Sequence, residues 1–264
     1  MLKYGFIGGG RMASAMIGAL LAAGHAPDSI AVSDRNDAVL ARHREAGVLA
    51  FSDNRKVCGA EYIFLAVKPQ HLDGALEEIA GCTGGKTIVS IVAGVRTKRI
   101  RAALEGAACV VRVMPNTPLL VGSGAVAVAF GDAPAEVRKE VRELFASRGE
   151  VVEAEEAALD AVTALSGSGP AYFYRIAEVL ARAASEHGLD YETALKLSVQ
   201  TMTGAAEMIR STGKTPDELI RDVSSPGGTT LAALGEFDRM GLDDVLKSGV
   251  DAAWKRSLEL SGDR

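Results

Sequence analysis

Residues 4–24 read YGFIGGGRMASAMIGALLAAG, and this stretch decides how the first half of the chain is expected to fold. A short apolar run ends at Ile7, three glycines follow, and a helical pattern then begins. Gly8, Gly10 and Ala13 form the pattern G-x-G-x-x-A, whose glycines let a pyrophosphate approach the amides of a helix N-terminus. The stretch favours the first strand, turn and helix of a dinucleotide-binding fold over a tight turn without a ligand.

Short apolar runs alternate with helical patterns from this stretch to about Ala154. The predicted strands are Lys3–Ile7, Ile30–Ser33, Val48–Phe51, Tyr62–Val67, Thr87–Val92, Cys109–Val113, Ala125–Phe130 and Glu150–Val152. The predicted helices among them are Met12–Ala23, Asp37–Ala46, Leu72–Ala80, Thr97–Leu104 and Ala135–Ser147. Strands such as YIFLAV (62–67) are apolar throughout, as in a parallel sheet covered on both faces. Residues 1–154 are therefore predicted to form a doubly wound, Rossmann-type α/β domain.

Strand patterns stop after Glu155, and the remaining residues predict helices alone. These helices are expected at Glu156–Leu165, Ala171–His187, Tyr191–Ser211, Pro216–Val223, Thr230–Met240 and Asp243–Leu260. Asp190 is a predicted N-cap, and TPDE (215–218) has the residues of a capping box with proline at the first helical position. Residues 155–264 are therefore expected to form a second, all-helical domain.

Composition argues against several classes of protein. The 29 Lys and Arg residues against 34 Asp and Glu give a net charge of -5, without a basic cluster, which speaks against nucleic acid as a partner. The three cysteines and four histidines are scattered in sequence, so neither a disulfide framework nor a metal site is expected. A reducing cytoplasm is the simplest setting. The apolar run 12–24 is shorter than the about 20 residues that span a bilayer, so no membrane is expected either.

The end of the second predicted strand gives two opposed indications about the nucleotide. In SDRN (33–36), Asp34 is placed to accept hydrogen bonds from the ribose of NAD, whereas Arg35 is placed to pair with the 2′-phosphate of NADP. Both residues also suit a solvated loop. Lys68 ends the fourth predicted strand at the same edge of the sheet, where ligands bind in such folds.

Four further motifs give the chain a family resemblance. They are AVKPQ (66–70), VRVMPNTP (111–118), ALSGSGPAYFY (164–174) and VSSPGGTT (223–230), and they occur in this order. With them the chain resembles the pyrroline-5-carboxylate reductase family nearly from end to end, and SGSGPAY with SSPGGTT is the most specific part of the match. The resemblance implies reduction of the cyclic imine 1-pyrroline-5-carboxylate to L-proline by NAD(P)H, the last step of proline biosynthesis.

The resemblance also implies where the nucleotide binds. The expected cofactor residues are Ile7, Gly8, Gly9, Gly10, Arg11, Met12, Asp34, Arg35, Asn54, Ala66, Val67, Lys68, Pro69, Ala93 and Gly94. NADPH is the expected cofactor, with NADH possible, since the family commonly uses NADPH and some members accept NADH. Asp34 departs from the Ser or Asn that family members often carry, and its charge would repel a 2′-phosphate.

The substrate is expected at the glycine-rich stretch before the helix Thr230–Met240. Its carboxylate would bind the main-chain amides of Gly227, Gly228, Thr229 and Thr230 at the positive end of the helix dipole. Ser225 is the remaining expected substrate residue. Thr230 matches the family position close to the imine nitrogen, and with Lys68 it is a candidate catalytic residue. A threonine hydroxyl is too weak an acid to supply the proton alone, so solvent or an already protonated iminium would supply it. SGSGP (166–170) is either a kink between helices or a second wall of this pocket.

The resemblance further implies a homodimer, or a larger ring of dimers, joined through the C-terminal helices. Apolar faces such as YFYRIAEVLARAA (172–184) suit that interface and an intramolecular core equally. The alternatives are a reductase of another cyclic imine or a 2-hydroxy acid, or an inactive nucleotide-sensing relative. Hydroxyacid dehydrogenases of similar build need a lysine that Ser166–Tyr174 lacks, and an inactive relative would not be expected to keep the glycines and Thr230.

Overall fold

The computed structural model describes residues 1–262, and its first part is built on an eight-stranded sheet. The strands are β1 Tyr4–Ile7, β2 Ile30–Ser33, β3 Leu49–Phe51, β4 Tyr62–Leu65, β5 Thr87–Ser90, β6 Cys109–Met114, β7 Gly124–Ala129 and β8 Gly149–Glu153. Their order is β3-β2-β1-β4-β5-β6-β7-β8, which begins with the 3-2-1-4-5-6 order of a Rossmann fold. The predicted strands are confirmed.

The direction of the last strands differs from the predicted parallel sheet. All neighbouring pairs from β3 to β6 are parallel, but β7 is antiparallel to β6 and β8 is parallel to β7. The cause is the short connection 115–123 between Met114 and Gly124. A parallel crossover needs a dozen or more residues, so this segment can only turn the chain back.

Helices cover both faces of the sheet because successive strand residues point in opposite directions. The helices are α1 Arg11–Ala22, α2 Asp37–Glu45, α3 Leu72–Ile79, α4 Thr97–Ala103 and α5 Ala135–Ala146, as predicted. Tyr4 and Phe6 enter the core that contains the apolar faces of α1 and α5, whereas Ile7 enters the core of α3 and α4. The Phe6 ring stacks on Phe64 of β4 with centroids 4.6 Å apart. This packing holds the carboxyl ends of β1 and β4 side by side.

The remainder of the described chain is helical, as predicted. Its helices are α6 Leu159–Val162, α7 Gly169–Glu186, α8 Tyr191–Thr212, α9 Pro216–Asp222, α10 Thr229–Arg239 and α11 Leu242–Ser261. The Asp190 side chain caps α8 by accepting from Thr193 N at 3.0 Å, and the capping box of residues 215–218 is formed. Glu156–Leu165 is not one regular helix, because α6 is followed by a π-helical turn at Thr163–Gly167. Within residues 1–262, no helix has the length and apolar character needed to cross a membrane.

The chain divides into two compact units, each described here by itself. The first contains Met1–Ser168 and the chain from Ala253 onward, and the second contains Gly169–Ala252. The last strand ends at Glu153, so the proposed division between residues 154 and 155 follows the end of the sheet and stays a prediction.

The second unit exposes an unusual amount of apolar surface in the single chain. Among its described residues, the buried hydrophobic side chains are all alanines: Ala177, Ala181 and Ala194. Its exposed large hydrophobic side chains include Phe173, Tyr174, Leu197, Val199, Met208, Ile209, Phe237, Met240, Val245 and Leu246. Exposed apolar surface on this scale marks an interaction site rather than a finished surface.

Two of the three cysteines, Cys58 and Cys82, lie close together although they are far apart in sequence. All three are free thiols, and the sulfur atoms of Cys58 and Cys82 lie 2.7 Å apart. Burial raises the pKa of the Cys58 thiol, and its hydrogen-bonding contact with Cys82 raises it further. Among residues 1–262, no three His, Cys, Asp or Glu side chains are grouped as metal ligands.

Candidate active site

The glycine turn after β1 is tight at its start and open at its end. Gly8 has φ +95°, and a Cβ there would lie 2.7 Å from the carbonyl oxygen of Ala66. A Cβ on Gly9 would lie 2.7 Å from Val39 Cγ1, whereas one on Gly10 would meet no atom within 4 Å. Gly10 is also the N-cap of α1 and provides no side-chain cap. The first-turn amides of α1 are therefore left for an anion, which fits the pyrophosphate of a dinucleotide.

A cleft of about 770 Å³ opens beside this turn, at the carboxyl ends of β1, β2 and β4. Its volume is that of a small-molecule site, and it lies where strand order reverses around β1. The predicted cofactor residues that line it are Gly8, Gly10, Asp34, Arg35, Asn54, Ala66, Val67 and Lys68. The predicted residues outside its lining are Ile7, Gly9, Arg11, Met12, Pro69, Ala93 and Gly94. The structure thus brings about half of the expected set together around one cavity.

Hydrogen bonds fix Asp34 at the tip of β2. Its Oδ2 accepts from Gly9 N and its Oδ1 accepts from Asn36 N, both at 2.8 Å. Gly9 precedes the N-cap of α1, so the carboxylate is tied to the phosphate-binding turn itself. Two main-chain donors hold it in place as a fixed negative charge on the cleft wall.

Glu78 of α3 also lines the cleft and holds two of its predicted residues. One carboxylate oxygen pairs with the Arg35 guanidinium, and the other accepts from Asn54 Nδ2 at 2.8 Å. Asn54 is buried, and its Oδ1 accepts from Ser33 Oγ at 2.7 Å. Asn54 therefore lines the cleft as predicted and also links β2 to α3.

The sequence interpretation missed the cleft residues that α3 and its lead-in supply. These are Gln70, His71, Gly74, Ala75 and Glu78, with Val39 from α2. His71 and Ala75, and likewise Gly74 and Glu78, are four residues apart and so share one side of the helix. That spacing was available in the sequence, but it does not say which side of α3 faces the cleft.

The stretch after β5, which contains the expected cofactor residues Ala93 and Gly94, ends in a second tight turn. Gly94 has φ +71°, and a Cβ there would lie 3.0 Å from Cβ of Leu260 in the last turn of α11. Arg96 follows and donates to Asp160 Oδ2 at 2.7 Å, and Ser257 Oγ donates to Asp160 Oδ1 at 2.7 Å. Asp160 is fully buried, and these two hydrogen bonds satisfy its carboxylate oxygens. Sequence reasoning found none of this network.

The stretch Ser224–Thr230 forms a turn leading into α10. Gly228 N donates to Ser225 O at 2.9 Å, and Gly227 has φ +70°. With Pro226 before it, this is the arrangement of a type II turn. Gly228 is the N-cap of α10, and no side chain caps the helix.

The serines and threonines of Ser224–Thr230 are not explained as caps of the following helix. They do not cap α10, and the amide of Gly228 is already used inside the turn. The first-turn amides of Thr229 and Thr230 have no acceptor within the helix. Of the expected amide donors, these two are the best placed to bind an anion. The Thr230 residue as a whole is half-buried.

The SGSGP segment (166–170) is a helix irregularity supported from β6. Ser166 and Gly167 end the π-helical turn, and Ser166 O accepts from Asn116 Nδ2 at 3.1 Å. A Cβ on Gly167 would lie 2.5 Å from Met114 Cε, so the end of that flexible side chain would have to move to admit one. Single π turns are frequent at functional sites. The segment joins the π-helical turn to α7, and both of its predicted roles, a kink between helices and a pocket wall, stay predictions.

Two family models match this chain, one in its N-terminal part and one in its C-terminal part. Residues 3–94 match a family model described as NADP oxidoreductase, coenzyme F420-dependent. Residues 156–260 match the model for pyrroline-5-carboxylate reductase dimerisation. The pyrroline-5-carboxylate reductase of Corynebacterium melassecola is 38% identical over 267 residues, which cover 98% of this chain and 99% of the relative. The chain belongs to the pyrroline-5-carboxylate reductase family.

Solved structures agree with this family membership. A pyrroline-5-carboxylate reductase from Coxiella burnetii is 34% identical, with a TM-score of 0.91 and 98% of each chain covered. The pyrroline carboxylate reductase of Plasmodium falciparum, solved with NADP bound, is 28% identical, with a TM-score of 0.87 and the same coverage. The family fold therefore extends over nearly the whole chain.

Proposed function

We propose that this chain is an NAD(P)H-dependent oxidoreductase that reduces the C=N bond of 1-pyrroline-5-carboxylate and forms L-proline in proline biosynthesis. The full-length match to pyrroline-5-carboxylate reductases carries the proposal. The glycine turn of α1 and the uncapped start of α10 supply the two binding elements that this reaction requires.

The nucleotide binds in the cleft beside β1. Gly8, Gly9 and Gly10 leave room for the pyrophosphate, and the amides of α1 donate to it. Asp34 and Arg35 lie on the adenosine side, while Ala66–Pro69 and Ile91–Gly94 serve the nicotinamide side. When bound, the reduced nicotinamide, from NADPH or NADH, supplies a hydride. Lys68 is exposed on the cleft wall, where its charge attracts the phosphates or the substrate.

The substrate carboxylate binds at the start of α10. The amides of Thr229 and Thr230 donate to it, and the positive end of the helix dipole adds electrostatic stabilisation. Ser225, Gly227 and Gly228 shape the turn that presents these donors, so the carboxylate meets main chain rather than a mobile cationic side chain.

Thr230 also orients the imine. Its hydroxyl donates a hydrogen bond to the imine nitrogen, directly or through water, and so stabilises the charge that builds there as the carbon is reduced. The hydroxyl is a weak acid, so the proton that the neutral imine needs comes from solvent. If the substrate is already a protonated iminium, the hydroxyl oxygen accepts from its N–H instead. Most of the rate enhancement is then proximity, which contributes up to about 7 to 11 kcal/mol in favourable systems.

A second copy of the chain covers the apolar helices of the second unit. The exposed side chains of α7, α8 and α10 are too numerous for a stable free surface, and the matched family model is named for dimerisation. We extend the proposal to a homodimer or a larger ring of dimers. The free thiols suit a cytoplasmic setting, which is part of the same proposal.

The decisive assay follows NADPH and NADH oxidation by the purified chain with 1-pyrroline-5-carboxylate. Reduction to L-proline is expected with the native protein, and Thr230→Ala is expected to lower kcat about 100-fold because a donor to the developing charge is lost. Nucleotide affinity should not change. Thr229→Ala is the matched control, since the proposal uses the Thr229 amide and not its hydroxyl.

Two outcomes would count against the proposal in different ways. If the native chain oxidises neither nucleotide with this substrate, the proposed function is wrong. If Thr230→Ala keeps the native kcat, the reaction stands but Thr230 has no part in it.

A further inference from the structure

We infer that this chain selects NADH over NADPH, with Asp34 as the main determinant and Glu78 as a second one acting through Arg35. The inference rests on the proposed function for the identity of the ligand and concerns the part of the cleft that faces the adenosine ribose. NADPH carries a 2′-phosphate there, whereas NADH carries a hydroxyl that can donate a hydrogen bond to a carboxylate.

Asp34 cannot move aside for a phosphate at low cost. Gly9 N and Asn36 N each donate to one of its oxygens at 2.8 Å, so rotation of the carboxylate would break two charge-assisted hydrogen bonds. Each oxygen still has a lone pair free for a ribose hydroxyl. The same fixed group is therefore an acceptor for NADH and a repelling charge for NADPH.

Arg35 is the nearest residue able to offset that repulsion, and it is already engaged. Its guanidinium pairs with Glu78, which Asn54 Nδ2 holds from the other side at 2.8 Å. A 2′-phosphate would have to draw Arg35 away from Glu78, and it would then face both carboxylates. Because the pair is largely exposed, its strength is modest. Glu78 should therefore matter less than Asp34.

The other cation of the cleft lies too far along the sheet edge to take the place of Arg35. Lys68 follows β4, and β1 separates that strand from β2 with Asp34 at its end. Neighbouring strands are about 4.8 Å apart, so Lys68 starts about 10 Å from the tip of β2. It is placed toward the nicotinamide half.

The test measures the Kd of NADH and of NADPH by calorimetry, without substrate, for the full-length protein and its variants. The native protein is expected to bind NADH at least about tenfold more tightly than NADPH. Asp34→Asn should weaken NADH and tighten NADPH, so that the preference narrows or reverses. Glu78→Gln should tighten NADPH about threefold and leave NADH unchanged, with Glu77→Gln on the outer side of α3 as the matched control.

A double variant isolates the part of Arg35. If Glu78 acts by holding the guanidinium, adding Arg35→Ala to Glu78→Gln should remove the gain in NADPH affinity. Arg35→Ala alone should change NADPH binding less than it does in that background.

The inference is overturned if the native protein binds NADPH as tightly as NADH, or if Asp34→Asn leaves the ratio of the two Kd values unchanged. The native ratio and Glu78→Gln remain decisive even if Asp34→Asn does not fold. A chain that shows the expected binding ratio but reduces no pyrroline-5-carboxylate would refute the proposed function and leave the nucleotide preference standing.

Discussion

The nucleotide cleft and the turn before α10, which we propose as the two anion-binding regions, are built in different ways. In the cleft, the glycine turn is joined by side chains with fixed partners: Asp34 accepts from Gly9 N of the turn, and Asn54 is hydrogen-bonded to Ser33 and Glu78. The turn at residues 224–230 relies on main chain, and neither serine nor threonine caps its helix. A wall of charged side chains can discriminate between ligands that differ by one phosphate. Main-chain amides bind the carboxylate of one molecule much like that of another, so substrate specificity must depend on other contacts.

The largest expected effect comes from Gly8→Ala, which adds one methyl group to the nucleotide-binding turn and leaves the turn before α10 unchanged. Gly8→Ala puts a Cβ at φ +95° and 2.7 Å from the Ala66 carbonyl oxygen, neither of which can relax without moving backbone. We expect a stability loss of about 1 to 3 kcal/mol and a nucleotide Kd raised about 100-fold or more, because displaced amides lose hydrogen bonds to a charged group.

The matched control for that variant lies in the same helix. Gly18→Ala meets no atom within 4 Å and replaces a glycine in the middle of α1. It should stabilise the protein by up to about 1 kcal/mol and leave nucleotide binding unchanged. Thermal unfolding and calorimetry measure both effects. Equal nucleotide affinity in Gly8→Ala and native protein would remove the tight turn from the account.

A smaller effect is expected from the corresponding change at the second turn. Gly228→Ala places a Cβ 2.5 Å from Ser225 Oγ and 3.0 Å from Ser225 O, but the hydroxyl can rotate away. We expect KM for pyrroline-5-carboxylate to rise about tenfold, as for one weakened hydrogen bond to a charged group. Nucleotide Kd should stay at its native value.

Gly235→Ala in α10 serves as the control, since a Cβ there meets nothing within 4 Å. The molecular mass of both variants in solution shows whether assembly is intact. A rise in nucleotide Kd for Gly228→Ala, with KM unchanged, would reverse the roles that we assign to the two regions.

The smallest effect concerns a side-chain pair that supports β1 and should respond to acid. Burial raises the pKa of Glu140, but hydrogen bonds from Lys3, at 2.7 Å, and from Tyr4 lower it more, so the net shift is downward. A lowered pKa in the folded state adds stability above the unfolded pKa, and this is lost as pH falls through the folded pKa. Glu140→Gln should therefore cost about 1 kcal/mol or less near neutral pH, and the cost should disappear in acid below the usual glutamate range.

Urea unfolding at several pH values measures this difference. Glu143→Gln on the same helix is the control, because its pair with Lys139 is long, at 3.9 Å, and highly exposed. A cost for Glu140→Gln that is the same at acid and neutral pH would show that packing, and not the charge, stabilises β1.

Much of the fold was predictable because local pattern and packing agree. Apolar strands such as β4, and end signals such as Asp190 and the capping box of α9, carry their structure in a few neighbouring residues. The reversed direction of β7 was missed, although the short segment 115–123 already excluded a crossover helix. Counting the residues of that connection would have corrected the prediction.

The lining of the cleft could be predicted where main chain forms it, and it was missed where side chains distant in sequence come together. Gly8 and Gly10 are enough to predict a turn, and the family resemblance indicates Asp34 as a cofactor residue. Glu78 reaches the cleft only because the opposite, apolar side of α3, with Leu76 and Ile79, is buried in the core. Asp160 gains its partners from Arg96 and Ser257, which lie far apart in sequence. No local sequence pattern predicts such long-range contacts, so they can be identified only in the folded structure.

The central claim is that main-chain amides at the start of α10 hold the carboxylate of the reacting ring. A crystal structure of the protein with L-proline tests it most directly. The account predicts the proline carboxylate within hydrogen-bonding distance of the amides of Thr229 and Thr230, with the Thr230 hydroxyl near the ring nitrogen. A carboxylate bound instead by Lys68, or by any site away from residues 225–230, would contradict it.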